Sequence, residues 1–241
     1  MSVVIAWIIL GLMLGCLMFC VYQMRSCGLE KCPLTCTCID RAYIKACHTA
    51  SDINEHLPSL HDYASEILHV TECGVRTAVS SWAFAKALQR RPGSKLVQVD
   101  LGTSKEREEF ARVVKEHGLN LIFYQQSDLE CPLEPTHLLF IDTLHVYGQL
   151  KRELSRWHNE VSSYIVMHDT TIDEHDGEVR RSNLDVNNLS SITGIPKNEL
   201  MQGLSRAIRE FLEENLQWEL REKKTNNNGL TILQRKRQQK Y

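Results

Sequence analysis

The chain has 241 residues, 28 Lys and Arg against 30 Asp and Glu, and 43% hydrophobic residues. Those proportions exclude wholesale disorder, a collagen-like repeat and a multi-pass membrane protein. The net charge of −2 is a sum of unlike parts: residues 1–24 carry no charged side chain, whereas residues 221–241 carry seven basic side chains and one acid. The 217 residues after the apolar start suffice for one well-buried α/β domain and are too few for two ordinary ones.

From Val3 to Tyr22 the sequence reads VVIAWIILGLMLGCLMFCVY, twenty apolar residues in succession. On a helix they rise about 30 Å, the thickness of a bilayer's hydrocarbon core. A cleavable signal peptide needs a basic start and a shorter run, so residues 1–24 are expected to be a single transmembrane anchor. Arg25 and Lys31 follow the run and nothing basic precedes it, which places the large domain on the cytosolic side. Residues 25–46 are read as a juxtamembrane stalk, with Cys27, Cys32, Cys36 and Cys38 and with Cys47 just beyond. Disulfides in an oxidising lumen, or free thiols, S-acylation or a metal knuckle in a reducing cytosol, all stay open for them.

From Ile67 the pattern turns regular. Ile67–Glu72 is a short apolar run ending in an acid, and a helix follows over 79–89 with Trp82, Phe84, Ala85 and Leu88 on one stripe. Pro92-Gly93 is a turn before a second strand, Lys95–Asp100. Ser104 is an N-cap for a charged helix that Gly118 stops. Further strands are expected over Asn120–Tyr124, Thr136–Asp142 and Val161–His168, with a helix over 146–158 between the last two. Asp173–Lys197 is polar and reads as a long loop, of the kind that forms mobile or functional lids. A helix over 203–215 precedes two strand-like runs around Asn228-Gly229, a hairpin signal.

Alternating strands and helices predict a doubly wound, mostly parallel α/β sheet. Five such strands and the closing antiparallel hairpin make seven in all. An all-parallel dinucleotide-binding sheet would not end this way. The folded domain is set at 47–235, followed by a basic tail over 236–241.

In open α/β sheets ligands gather at the carboxyl ends of the strands. Those ends carry Glu72, Asp100, Asp128, Asp142 and Asp169. Gly74 lets backbone approach a ligand, and the helix start at Ser80 offers free N–H donors. Asp100 is placed to accept from a ribose, and Asp128 to address an adenine amino group. Neighbouring fourth and fifth strands would bring Asp142 and Asp169 within roughly 5 Å. Two carboxylates that close call for a proton or a hard divalent cation such as Mg²⁺. His145 is a candidate base against the alternative of a helix cap, and His168 a third ligand against that of a packed core histidine.

T-E-C-G-V-R…S-S-W-A-F at 71–84, F-I-D-T-L-H-V-Y-G-Q-L at 140–150, Y-I-V-M-H-D-T-T at 164–171 and the closing G-L-S-R-A-I-R…N-N-N-G-L-T-I-L-Q-R at 203–235 carry a resemblance. The chain resembles class I S-adenosylmethionine-dependent methyltransferases of Rossmann-like fold, and within them the macrocin O-methyltransferase and cephalosporin hydroxylase-like group. The resemblance implies an S-adenosylmethionine pocket lined by Glu72, Gly74, Ser80, Asp100 and Asp128, a divalent metal, Mg²⁺ in the first place, on Asp142, Asp169 and His168, and His145 as base. A small-molecule or glycan hydroxyl is the expected methyl acceptor, with no nucleic-acid partner and self-association left open. Two departures stand out: Ala78 replaces a glycine often present in the first motif, and His168 stands where the group more usually has an acid.

Overall fold

The computed structural model describes residues 37–236. The expected anchor over 1–24, Cys27, Cys32, Cys36 and the last five residues lie outside that range. Among the described residues no helix is long and apolar enough to cross a membrane.

The domain begins earlier than the sequence suggested. Residues 38–46, assigned to the stalk, belong to helix α1 (Cys38–His48), entered through a capping box in which Thr37 and Asp40 satisfy each other's backbone N–H. Asp40 also binds Lys86 of a later helix and Gln89 just after its end, fastening α1 to the domain. Burial of Asp40 is outweighed by those partners, which hold its carboxyl well below the usual range. A 3₁₀ turn (Asn54–His56) leads into α2 (Leu57–Ser65). Neither α1 nor α2 has a long apolar stripe to announce it.

The remaining elements follow the expected rhythm: β1 (His69–Cys73), α3 (Val79–Leu88), β2 (Lys95–Asp100), α4 (Lys105–Glu116), β3 (Asn120–Gln125), β4 (Thr136–Ile141), α5 (Tyr147–Trp157) and β5 (Val161–His168). The polar stretch after β5 is not an irregular loop. It folds into three short helices, α6 (Gly177–Arg181), α7 (Val186–Thr193) and α8 (Lys197–Leu200), and buries Val179, Ile195 and Leu200 with Val146 in a small core of their own. Then come α9 (Leu204–Glu214), β6 (Trp218–Lys224) and β7 (Leu230–Arg235).

The seven strands lie in the order β3-β2-β1-β4-β5-β7-β6. Pairings among β1–β5 are parallel, and β7 runs antiparallel to both β5 and β6. Side chains alternate across the sheet, so Leu138 and Phe140 face one layer while Leu139 and Ile141 face the other. On the first face α2, α3 and α4 supply Leu60, Phe84 and Phe110; on the second α5 and α9 supply Leu154, Trp157 and Phe211. Phe84 meets Phe140 edge to face at 5.4 Å. Burial of each such ring contributes on the order of 2–3 kcal/mol.

Two turns place the site. After β1 the chain turns at Gly74 (φ +85°), where a Cβ would lie 1.9 Å from the Asp142 carbonyl oxygen, so only glycine fits. At the far end the β6–β7 hairpin turns through Asn227 and Asn228, both left-handed. Its tip bonds back to the end of β5, Asn228 O accepting from Thr171 N and Ile172 N at 2.9 and 3.0 Å. The hairpin tip therefore packs against the end of β5, where the Asn227 carbonyl oxygen lies 3.3 Å from His168 Nε2.

Candidate functional site

The carboxyl ends of the strands fall into two groups with different chemistry. In the first group the acids are spent on the protein itself. Glu72 is fully buried, and its carboxylate accepts from Ser80 Oγ (2.6 Å), Ser81 Oγ (2.7 Å) and Gln98 Nε2 (3.0 Å), tying β1 to α3 and β2. Burial, partly offset by those three donors, pushes its pKa up to about 7. Asp100 takes backbone N–H groups from Val75 (2.7 Å), Arg76 (2.9 Å) and Gly102 (2.9 Å). These bonds hold the turn after β1, whose residues Arg76 and Ala78 are left-handed although neither is glycine. Asp128 is 7% exposed and sits beside Glu153 of α5 rather than at a surface. The crevice at the sheet top thus receives Gly74 and Ser80 from the expected cofactor set, but not the side chains of Glu72, Asp100 or Asp128.

The second group converges. Asp142 follows β4, His145 stands three residues on, and His168 and Asp169 end β5. His145 Nε2 lies 3.1 Å from Asp142 Oδ1, and its Nδ1 lies 3.0 Å from Asp169 Oδ2. His168 Nδ1 lies 3.2 Å from Asp142 Oδ1 and 3.7 Å from Asp169 Oδ2. Strand alternation alone would turn His168 away from Asp169. The left-handed φ of +56° at Asp169 breaks that alternation, and both side chains reach the same space.

Residues that the sequence did not single out complete the cluster. Asp173 is buried, one turn after Asp169, and is held by Nε and Nη2 of Arg181 at 2.7 and 2.8 Å. Glu178 of α6 approaches His145 Nδ1 at 3.4 Å. Asp52 and Ile53 roof the crevice, and Asp52 pairs with Arg76 across its rim at 2.7 Å. The D-x-x-x-D spacing of Asp169 and Asp173 was readable; Asp52 and Glu178 arrive through long-range folding and left no local signal. The crevice encloses about 180 Å³. A larger groove of about 710 Å³ along α5, lined by Leu129, Leu133 and Lys151, holds no comparable cluster.

Electrostatics follow from this packing. Burial disfavours the Asp142 carboxylate, yet hydrogen bonds from His145 and His168 outweigh it and hold the group well below the usual range. Burial likewise disfavours the His145 imidazolium, and Asp142 and Glu178 reverse that, raising its proton affinity well above normal. His168 is raised in the same way, chiefly by Asp142. Asp169, more strongly desolvated than neutralised, is raised.

The arrangement fits a divalent cation. His168 Nε2 faces the carbonyl oxygens of Asp52 (3.1 Å) and Asn227 (3.3 Å), so it carries a proton and leaves Nδ1 directed at the carboxylates. One ligand atom each from Asp142, His168 and Asp169 lie within 4.8 Å of one another, as do those of His145, Asp169 and Asp173. Asp169 Oδ1 is buried without a hydrogen-bond partner.

No protein-family model matches the chain, and no curated protein matches it. Solved structures do. The fold, a sheet in the order β3-β2-β1-β4-β5-β7-β6 with one antiparallel strand inserted beside β5, is similar to that of solved S-adenosylmethionine-dependent methyltransferases. Among the similar structures are a Corynebacterium glutamicum protein (13% identity, TM-score 0.56, 92% of this chain and 100% of that one) and a Bacillus cereus O-methyltransferase in complex with S-adenosylhomocysteine (16%, 0.51, 90% and 97%). The Synechocystis magnesium protoporphyrin IX methyltransferase with bound S-adenosylmethionine is similar at 12% identity and TM-score 0.52, over 81% and 90% of the two chains.

Proposed function

We propose that this protein transfers a methyl group from S-adenosylmethionine to a hydroxyl of a sugar or small polyol-like acceptor, with a divalent cation in the site, as in the macrocin O-methyltransferase and cephalosporin hydroxylase-like group. The convergence of His145 with Asp142 and Asp169 beside the Gly74 turn is the observation that supports this most.

Asp142, Asp169 and His168 would hold the cation, which lowers the proton affinity of a bound hydroxyl and offsets the acids that otherwise keep His145 charged. Two carboxylates and one imidazole admit Mg²⁺ and suit Mn²⁺ better than an all-oxygen set does. S-adenosylmethionine would supply the methyl group and the departing sulfur, and His145 would take the proton of the acceptor hydroxyl. Glu178 and Asp169 steady the imidazole through Nδ1. Gly74, with no side chain, keeps the turn after β1 against β4 and leaves the helix start of α3 open to a ligand. The acceptor side would be bounded by α6–α8, with exposed Arg181 at the end of α6 tied to buried Asp173. An apolar anchor over 1–24 would hold this domain at a membrane, on the cytosolic side.

A second reading, a catalytically silent membrane-anchored protein of the same fold, draws on two observations. Asp100 is satisfied by the turn's own amides, and a 180 Å³ crevice is smaller than the roughly 300 Å³ typical of small-molecule sites. Cofactor entry therefore requires the Asp52–Arg76 rim to move outward. Titration calorimetry of the full chain with S-adenosylmethionine separates the readings. Saturable binding at sub-millimolar cofactor supports the enzyme, and no heat at millimolar cofactor supports the silent protein.

A further inference from the structure

Behind the Thr143 wall of the crevice lies a pair of acids that the proposed methyl transfer does not use. Glu153 of α5 is 1% exposed and Asp128, from the β3–β4 connection, 7%. Gln149 Nε2 donates to both, at 2.9 Å to Glu153 Oε1 and 3.3 Å to Asp128 Oδ1, so the two carboxyl groups lie side by side. Thr143 Oγ1 donates to Glu153 Oε1 as well. Asp128 Oδ2 and Glu153 Oε2 are left buried with no donor.

Among the described residues no cation hydrogen-bonds either carboxylate. Arg156, the cation felt by Asp128, spends its N–H groups on the carbonyl oxygens of Asp128 and Cys131. Cys131 is pushed up to about 11 by burial and by Asp128, and burial raises Cys73 too, so both thiols stay neutral. Trp157 Nε1 donates to the Asp128 carbonyl oxygen at 3.1 Å and closes the site. Two adjacent carboxylates in such a place cannot both ionise; one proton between them removes the repulsion and supplies the missing donor.

We propose that Asp128 and Glu153 hold a single proton, Glu153 Oε2–H donating to Asp128 Oδ2, and that this pair clamps α5 to the β3–β4 connection and to the Thr143 wall, releasing when the proton leaves. Neither acid lines the crevice, so the shared proton stands apart from cofactor binding, and Asp128 serves a structural proton site in place of the adenine contact expected from sequence.

The sign is fixed. Burial and Asp128 raise Glu153 above its ordinary value, so the clamp's stability is complete in acid and is lost as pH rises through the folded value. In Glu153→Gln the amide N–H replaces the shared proton at every pH. Urea unfolding of the full chain in mild detergent, from pH 5 to 9, should show wild type losing stability relative to Glu153→Gln and Asp128→Asn. The loss is about tenfold in the unfolding constant per unit of raised proton affinity. Glu72→Gln, which removes a different buried acid, should keep this difference. In the Glu72→Gln background, which removes the other buried acid partly protonated near neutral pH, the infrared spectrum at neutral pH should contain a protonated-carboxyl band that Glu153→Gln or Asp128→Asn abolishes. Parallel pH profiles for wild type and both variants would overturn the proposal. So would a band insensitive to either substitution, and the infrared measurement needs only one of the two variants to fold.

Discussion

The two halves of the sheet's carboxyl edge use the same residue type for opposite ends. At β1, β2 and β3 the acids Glu72, Asp100 and Asp128 are taken up by hydroxyls, backbone amides and a neighbouring side-chain amide. At β4 and β5 the acids Asp142 and Asp169 face two histidines. An acid satisfied by nearby donors shapes the loop it sits in, whereas acids gathered around imidazoles retain capacity for a cation or a substrate proton. Position at a strand end is common to both; the supply of local donors separates them.

Substitutions should divide along this line. Gly74→Ala, on the border between the halves, combines a left-handed backbone with a Cβ 1.9 Å from the Asp142 carbonyl oxygen. It should destabilise by about 4 kcal/mol or more, measured as the shift in urea-unfolding free energy. At the β4/β5 end, His145→Ala should reduce single-turnover methyl transfer by about 10²–10⁴-fold, read on protein shown to be folded. Asp142→Asn should abolish any Mn²⁺ dependence of that rate, and unchanged turnover in both would refute their roles.

At the β1/β2 end the expected effects are on folding and on pH. Glu72 has a folded pKa of about 7 against an ordinary value of 4.5, so its contribution falls as pH rises from about 4.5 through 7. Glu72→Gln should remove that slope, altering the wild-type-minus-variant difference by up to about 3 kcal/mol between pH 5 and 8. Identical pH profiles would mean that Glu72 is not buried as described. Asp100→Ala should cost about 2 kcal/mol and raise amide exchange at Val75 and Arg76, which lose their acceptor. Protected amides in that variant would place the restraint elsewhere.

Much of the fold was legible because its punctuation is local. Pro92-Gly93 sets the start of β2, Ser104 caps α4, and Asn228-Gly229 announces the hairpin. Helices α1 and α2 were missed because each is short and packs through few apolar residues, Ile39 in one and Leu57 and Leu60 in the other. Residues 173–197 read as a loop because three short helices separated by Asn, Gly and Pro give no sustained period. Of the candidate site, Asp142, His145 and Asp169 could be found because neighbouring parallel strands bring their ends together. The engagement of Asp100 could not, since its donors are backbone N–H groups aimed by the left-handed turn at Arg76. Glu178 and Asp52 depend on contacts from segments distant in sequence, which no spacing rule reaches.

The β4/β5 end is the proposed methyl-transfer site, with its cofactor expected beside the Gly74 turn. Calorimetric titration of the full chain with S-adenosylmethionine, in wild type and in Asp142→Asn, tests it most directly. Saturable binding of similar affinity in both proteins, with methyl transfer lost only in the variant, is the predicted result. Absence of binding to wild type at millimolar cofactor would contradict it.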